Sequence, residues 1–397
     1  MQTNGAPPVT SDVAVGGTTR ASATAAYDRA MADVDEIVRR VLQAPDAELI
    51  DHRLVPLDHD SYLPGRTVVR FDGQALVSGA RRSWSVVRKW TAGAQTPRAP
   101  VDRARREAFA YRSGLLDEIG DLHVPRAWDI DLADDGSTTL WLEDVRDSEP
   151  WTMATYRRAG HALGTFNGAF LTKHAPERTW LVSDWAHGQS EPVDLQAVLR
   201  AIELDAGTNA ARRALGDDAG ERARALQEHQ PAFIELLGRL PQTLCHHDAA
   251  RSNLVARRAR GRWEIVAFDW ESTGPGAVGA EIATLVSASL RKGDVPPDES
   301  GSLDRNVFEG YVAGLRTVDW SGDHRIARLG YTAALALRAW FVRGTLRDLA
   351  DRRSRPFINR APHLRTDEVR RRFASISRFL LGRADEARQL SVELDLG

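Results

Sequence analysis

Pro150 divides the chain by texture, and that division constrains the fold more than any other feature of the 397 residues. Before it lie short β-like runs, Leu49–Leu57, Thr67–Phe71, Trp84–Trp90 and Thr138–Leu142, separated by turn-rich pieces such as Leu63-Pro64-Gly65 and Phe71-Asp72-Gly73. One helical pattern, over about 101–119, interrupts them, with Phe109, Leu115 and Leu116 as apolar members. After Pro150 the period is helical: Ala159, Leu163, Phe166 and Phe170 mark one helix, and Leu195, Val198, Leu199 and Ile202 another. Stretches 219–239, 303–318 and 324–350 continue it, and Val369, Phe373, Ile376 and Leu380 mark the last. One β-like island, Leu244–Val255 then Trp263–Phe268, lies inside the helical half.

This pattern reads as an α+β chain of two lobes. Residues 50–145 form a small β-rich N-lobe and 146–397 a larger, mainly helical C-lobe. Residues 1–22, rich in Gly, Pro, Ser, Thr and Ala, read as a disordered tail. Residues 23–46 read as a helical extension, because Tyr27, Met31, Val34, Val38 and Val41 recur at helical spacing.

Composition removes several classes of function. The single cysteine, Cys245, excludes a disulfide framework and a multi-thiolate zinc site. No apolar run reaches the ~18 residues of a membrane span, and no basic start precedes an apolar block at the N-terminus, so the expected location is the cytoplasm, with no membrane partner. The net charge of −2 gives no overall attraction to nucleic acid. The cations divide into 50 arginines and three lysines, Lys89, Lys173 and Lys292. A lysine kept within a strand-like run of such a chain marks a place for a compact ammonium rather than a guanidinium fork. Residues 338–372 carry 11 arginines against Asp348, Asp351, Asp367 and Glu368, without a stripe of stacking aromatics. They read as solvated helix faces and ion pairs more than as a site for an anionic partner. The oligomeric state has no signature.

The chemistry is concentrated in Leu244-Cys245-His246-His247-Asp248-Ala249-Ala250-Arg251-Ser252-Asn253-Leu254 and in Ile265-Val266-Ala267-Phe268-Asp269-Trp270-Glu271. An aspartate, an asparagine five residues on and an aspartate ending the next strand supply the parts of a phosphoryl-transfer site. Asn253 and Asp269 are oxygen ligands suited to Mg2+, and Asp248 is left to accept a proton from an attacking hydroxyl. Taken alone, Asp248 and Asn253 would also suit an ordinary turn. A transition-metal cluster of Cys245, His246, His247 and Asp248 is disfavoured, since consecutive extended residues point to opposite faces.

These segments resemble the H-G-D-x-x-x-x-N … D-x-E signature of the aminoglycoside phosphotransferases and related small-molecule kinases, in particular an actinobacterial-type branch. His246, Asp248, Asn253, Asp269 and Glu271 match, while His247 stands where that family has glycine. Gly274–Ala283 is similar to the family's glycine-rich stretch ending Asp-Leu-Ala, with Glu281-Ile282-Ala283 in its place. Upstream, Trp84–Lys89 looks like the strand carrying a phosphate-binding lysine, and Arg106–Tyr111 like the helix whose glutamate pairs with it. Leu140–Val145 resembles the hinge strand whose backbone holds the base.

The resemblance implies a protein-kinase-like bilobal fold and a Mg2+-dependent O-phosphotransferase. It would move the γ-phosphoryl group of ATP or GTP to a hydroxyl of a small molecule, in antibiotic resistance or biosynthesis. It implies Asp248 as catalytic residue, with Lys89, Glu107, Glu143 and Val145 at the nucleotide. Asn253 and Asp269 would hold the metal, His246, Arg251 and Glu281 would support the catalytic loop, and Glu271 and Asp184 are candidates for the acceptor. Whether Lys89 or Arg88 faces the phosphates rests on the resemblance alone. Ser61–Thr67 occupies the place of the phosphate-covering loop without a G-x-G-x-x-G, so a plain hairpin turn is equally admissible. The rival reading is a catalytically silent nucleotide-binding scaffold. Acids near Asp248 are few, namely Glu271, Asp184, Glu393 and Asp395, which favours a neutral or anionic acceptor over a polycationic aminoglycoside.

Overall fold

The computed structural model describes residues 34–57, 65–93, 103–173, 177–189, 194–351 and 365–396. The expected tail, Tyr27 and Met31 of the extension, Ser61–Pro64 and much of the basic stretch lie outside them.

Residues 34–42 form helix α1. Strands β1 (Glu48–Pro56), β2 (Arg66–Val77) and β3 (Ala80–Thr91) follow, then helix α2 (Arg103–Arg112) and strands β4 (Leu122–His123), β5 (Ala127–Leu132) and β6 (Thr138–Glu143). Five of these strands make an antiparallel sheet in the order β1-β2-β3-β6-β5. Val34, Ile37 and Val38 of α1 close one face of it over Phe71, Ala75, Trp84, Val86 and Trp141, as their helical spacing requires.

The sheet departs from the sequence pattern in two places. Phe71-Asp72-Gly73, expected as a turn, lies inside β2, where Gly73 pairs with His52 and Trp84. A Cβ at Gly73 would sit 2.1 Å from the Asp51 carbonyl oxygen, beside the register shift in β1, so glycine here admits a bulge rather than a turn. Strand β5 is not among the expected runs, although its Asp129 and Asp131 alternate with apolar residues at a sheet edge. The helix expected to reach residue 119 stops at Arg112, where Gly114 adopts φ 72°.

The helical part runs α3 (Met153–Lys173), α4 (Trp185–Gln189), α5 (Leu195–Ala206), α6 (Asn209–Leu215), α7 (Ala219–Glu228) and α8 (Gln230–Arg239). Strands β7 (Gln242–Cys245), β8 (Leu254–Ala259), β9 (Arg262–Ala267) and β10 (Gly274–Ala277) make two small sheets, β10-β7 and β4-β9-β8. Helices α9 (Glu281–Lys292), α10 (Ser300–Thr317), α11 (His324–Ala336), α12 (Ala339–Ala350) and α13 (Thr366–Glu393) complete it. Two long helical stretches are each broken in two. Pro231 lacks the N–H needed to continue α7 into α8, and a kink at Leu337–Arg338 separates α11 from α12. Ala110, Leu115, Leu116, Ile119 and Leu122 share the core of the helices, so this stretch ties the first half of the chain to the second. No helix among the described residues is long and apolar enough to cross a membrane.

Helices α3 and α10 meet backbone to backbone. Cβ atoms added at Gly160, Gly164, Gly310 and Gly314 would each come within 2.3 Å of a carbonyl oxygen of the opposite helix. This contact sets the site, because Tyr311 on α10 donates to Asn167 Oδ1 on α3 (2.6 Å), and Asn167 Nδ2 donates to the Leu244 carbonyl at the end of β7 (2.8 Å). We expect Gly164→Ala to cost about 1–3 kcal/mol by overpacking. Gly382→Ala, with open space around it, should stabilise α13 by up to about 1 kcal/mol. Urea unfolding midpoints of the two variants check this, and equal shifts would refute the close contact.

Candidate active site

Strand alternation sends Lys89 and Arg88 to opposite faces of β3. The Arg88 guanidinium lies over Trp141, 5.7 Å from the ring centroid, while Lys89 Nζ enters the space between the sheet and the helical part. There it pairs with Glu107 of α2 and donates to Asp269 Oδ1 at 2.5 Å. The other Glu107 oxygen accepts the Asp269 amide N–H (3.1 Å), so one carboxylate holds both the lysine and the turn after β9. Arg66, at the start of β2, pairs with Glu271 and stands 3.6 Å from Asp269. Burial alone would lower the Lys89 pKa, but Asp269 and Glu107 overcome it and hold the ammonium well above its ordinary value. Burial opposes the charge of Asp269 too, yet Lys89 and Arg66 hold it down at about 2. Asp269 adopts φ 70°, a left-handed conformation that aspartate tolerates better than most residues.

The loop from His246 to Asn253 leaves β7 and is held from below. Glu281, the first residue of α9, accepts the amide N–H groups of His246 (2.5 Å) and His247 (3.2 Å) with its two oxygens. The longer side chain thus reaches the loop from the place where the resembling family has aspartate. His246 Nδ1 accepts the Asp248 amide (3.2 Å) and its Nε2 donates to the Phe268 carbonyl (3.0 Å), so its ring spans the two segments. Asn253 Nδ2 donates to both the backbone oxygen (2.8 Å) and the Oδ2 (3.0 Å) of Asp248. Burial raises the Asp248 pKa, with the neighbouring Asp269 adding to it.

His247 explains how the glycine of the family signature can be absent. It takes φ 65°, the region glycine enters freely and other residues enter at about 1–2 kcal/mol. Its ring recovers contact by stacking on Trp185 (centroids 4.6 Å apart, planes 9° apart) and by donating from Nε2 to the Pro275 carbonyl (3.0 Å). Burial drives its pKa to about 3, so the ring is neutral.

A cavity of about 1170 Å³ brings together Lys89, Glu107, Glu143, Val145, Asp184, Asp248, Asn253, Asp269 and Glu271. His246, Arg251 and Glu281 stand behind its wall. Arg251 donates to Asp147 Oδ2 (2.5 Å) and to the Leu254 carbonyl (3.1 Å), and lies over Trp151. The Glu143 carboxylate accepts from Arg257 (2.5 Å) and from the Arg126 amide (3.2 Å). The Glu143 N–H donates to the Arg126 carbonyl (2.8 Å), so both side chain and amide tie this strand end to the segment before β5. Sequence reasoning missed Arg66, Asp147, Trp185 and Arg338. Arg66 directly follows Gly65 (φ 85°) and so stood within the quoted loop segment, but nothing local marks the other three.

The donor set bears on a metal. Both Asn253 amide protons go to Asp248, and its amide oxygen accepts a long bond from Ser252 Oγ (3.4 Å), which leaves that oxygen a lone pair for a cation. Asp269 Oδ2 has no hydrogen-bond partner among the described residues. No group of three His, Cys, Asp or Glu side chains that could hold a metal occurs among the described residues. One amide oxygen and one carboxylate fit a hard cation that keeps water and phosphate oxygens as its remaining ligands, and not an all-protein zinc cage.

Residues 62–321 match the model of the APH phosphotransferase enzyme family, and the chain belongs to that family. Its fold is the α+β, kinase-like fold of the family, with a β-sheet N-terminal region and a helical C-terminal region. Among solved structures it is similar to the amicoumacin kinase hAmiN in complex with AMP-PNP, Ca2+ and Ami (13% identity over 94% of this chain and 96% of that one, TM-score 0.46). It is also similar to an aminoglycoside phosphotransferase from Alicyclobacillus acidocaldarius (14%, 90% and 95%, TM-score 0.43). A microcompartment-associated aminopropanol kinase shows a comparable likeness (15%, 91% and 98%, TM-score 0.41). No curated protein matches the chain.

Glu281→Ala would strip two buried amides of their acceptor, at roughly 1–3 kcal/mol each. We expect a loss of about 2–6 kcal/mol in chemical unfolding, with Glu281→Asp intermediate. A loss under about 0.5 kcal/mol, the scale of an ordinary surface substitution, would show that the loop does not lean on this carboxylate.

Proposed function

We propose that the protein transfers the γ-phosphoryl group of ATP or GTP to a hydroxyl of a small molecule, in the cytoplasm where those nucleotides are held. The observation that supports it best is the meeting of Lys89, Glu107 and Asp269 from three separate elements, in the cavity that also holds Asp248 and Asn253. In this reading Lys89 neutralises the α- and β-phosphates and Glu107 fixes its ammonium. The hinge backbone near Glu143 and Val145 meets the base. Asn253 and Asp269 would hold Mg2+, which supplies charge neutralisation across the phosphates. His246, Arg251 and Glu281 keep the loop in place.

The acceptor hydroxyl oxygen forms a bond to the γ-phosphorus as the bond to the β-phosphate bridging oxygen breaks. The nucleoside diphosphate departs with that electron pair, and the hydroxyl proton passes to an Asp248 carboxylate oxygen. Asn253, donating to Asp248 Oδ2, orients this carboxylate and leaves Oδ1 for the acceptor. Most of the rate comes from positioning and electrostatics.

Asp248→Asn keeps the shape of the side chain and removes its capacity to take the proton. We expect Mg-nucleotide affinity close to wild type by calorimetric titration, and phosphoryl transfer slowed at least about 10²-fold in single-turnover assays. Since burial raises the Asp248 pKa, the carboxylate gains a proton at a higher pH than the ordinary ~3.9. The wild-type rate should therefore fall on acidification through that raised value, and the acid limb should be missing from the residual rate of Asp248→Asn. Unchanged transfer in Asp248→Asn would remove the residue from the mechanism. Nucleotide binding with no transfer to any hydroxyl compound would leave the scaffold reading.

A further inference from the structure

Beyond Asp248 the cavity wall changes sign. The last turn of α9 contributes Arg291 and Lys292, and the kink between α11 and α12 contributes Arg338; all three line the cavity. Lys292 Nζ donates to Ser252 Oγ (2.6 Å), next to the candidate metal ligand Asn253. Arg338 lies over Trp185, its guanidinium carbon 5.8 Å from the ring centroid, and donates to Gln189 Oε1 (2.6 Å) and Thr284 Oγ1 (3.1 Å). Both acceptors are neutral, and no carboxylate pairs with Arg338 among the described residues. Its Nε is buried without a partner. Burial and the nearby Arg291 charge lower its pKa to about 10 against the opposing pull of the Asp248 carboxylate, which still leaves it charged at neutral pH. Thr284 in turn donates to the His247 carbonyl (3.3 Å), so the guanidinium is wired to the loop that carries Asp248. His247 donates from Nε2 and therefore presents a bare Nδ1, which is buried with no hydrogen-bond partner.

A guanidinium with a buried Nε, hydrogen-bonded only to neutral groups and turned to a cavity, has charge left for an oxyanion to meet, and its planar fork suits a carboxylate or a phosphate. Trp185, stacked on His247 and covered by Arg338, adds a flat apolar wall beside that cation. We propose that the phosphoryl acceptor is itself an oxyanion: a hydroxyl compound carrying a carboxylate or phosphate group that docks on Arg338, with Arg291 and Lys292 beside it and its hydroxyl turned to Asp248. This rests on the phosphotransferase reading and narrows its substrate class. A polycationic aminoglycoside would bring its ammonium groups against three cations. Among the described residues lining the cavity, the acids outside the transfer centre are the exposed Asp184 and, at the hinge, Glu143 and Asp144, both of which are paired with arginines.

The test uses the full chain saturated with Mg2+ and the non-hydrolysable nucleotide AMP-PNP, so that the phosphate-transfer site is already filled. Benzoate, phenyl phosphate, the neutral isostere benzamide and kanamycin are titrated at low ionic strength, with tryptophan emission and calorimetry as readouts. We expect benzoate or phenyl phosphate to bind at least about tenfold more tightly than benzamide or kanamycin, and their order to tell carboxylate from phosphate. Arg338→Met should abolish the preference, Arg338→Lys should restore part of it, and Arg291→Gln should weaken it. Melting temperature serves as the fold control, and if Arg338→Met does not fold, the Lys and Gln variants carry the comparison. Equal binding of all four probes, tightest binding of kanamycin, no binding of any probe, or an oxyanion preference untouched in the folded variants would overturn the proposal. Failure of AMP-PNP itself to bind would overturn the phosphotransferase reading instead, and the oxyanion titration on the nucleotide-free protein would still decide for or against Arg338.

Discussion

Lys89 brings its ammonium into the interior because carboxylates from α2 and from the turn after β9 converge on it. Arg66 and Glu271 extend the cluster, so two cations face three carboxylates in a space shared by the sheet and the helical part. Removing one partner from a buried pair costs about 3–5 kcal/mol, because the other is left uncompensated. The cluster therefore fixes how β3, α2 and the segment after β9 sit relative to one another. An anionic ligand entering between Lys89 and Asp269 would trade one set of ion pairs for another, which is a cheaper event than burying a new charge.

The loop carrying Asp248 depends on a second constraint, the two amides held by Glu281. His247 and Asp269 both adopt left-handed backbone conformations on either side of the cavity. Strain of this kind persists only where surrounding contacts over-determine it, and here those contacts are the Trp185 stack, the Pro275 carbonyl and the Glu107 carboxylate. Below them, the glycine-lined approach of α3 and α10 sets Asn167 and Tyr311, and through them β7.

The division into a β-rich half and a helical half was legible at Pro150, because periods of two and of 3.6 residues are local properties of the chain. The family signature gathered Lys89, Glu107, Asp248, Asn253 and Asp269, which lie far apart in sequence and line one cavity. What local pattern could not carry was non-local. Gly73 reads as a turn until the bulge opposite it is known. Arg338 looked like one more arginine in a basic stretch. Its place over Trp185 follows from a helix break that periodicity runs straight through. Arg66 likewise gains meaning only when Glu271, more than two hundred residues away, folds beside it.

The account stands or falls on where the γ-phosphorus goes. The direct measurement is to incubate the protein and Mg2+ with γ-labelled ATP or GTP and a pool of hydroxylated carboxylates and phosphates, then separate the labelled products. The account predicts label in a new phosphate ester, stable to mild acid and formed together with a stoichiometric amount of nucleoside diphosphate. Label recovered solely as inorganic phosphate, or solely as unreacted nucleotide, across the pool and across neutral hydroxyl compounds would contradict it.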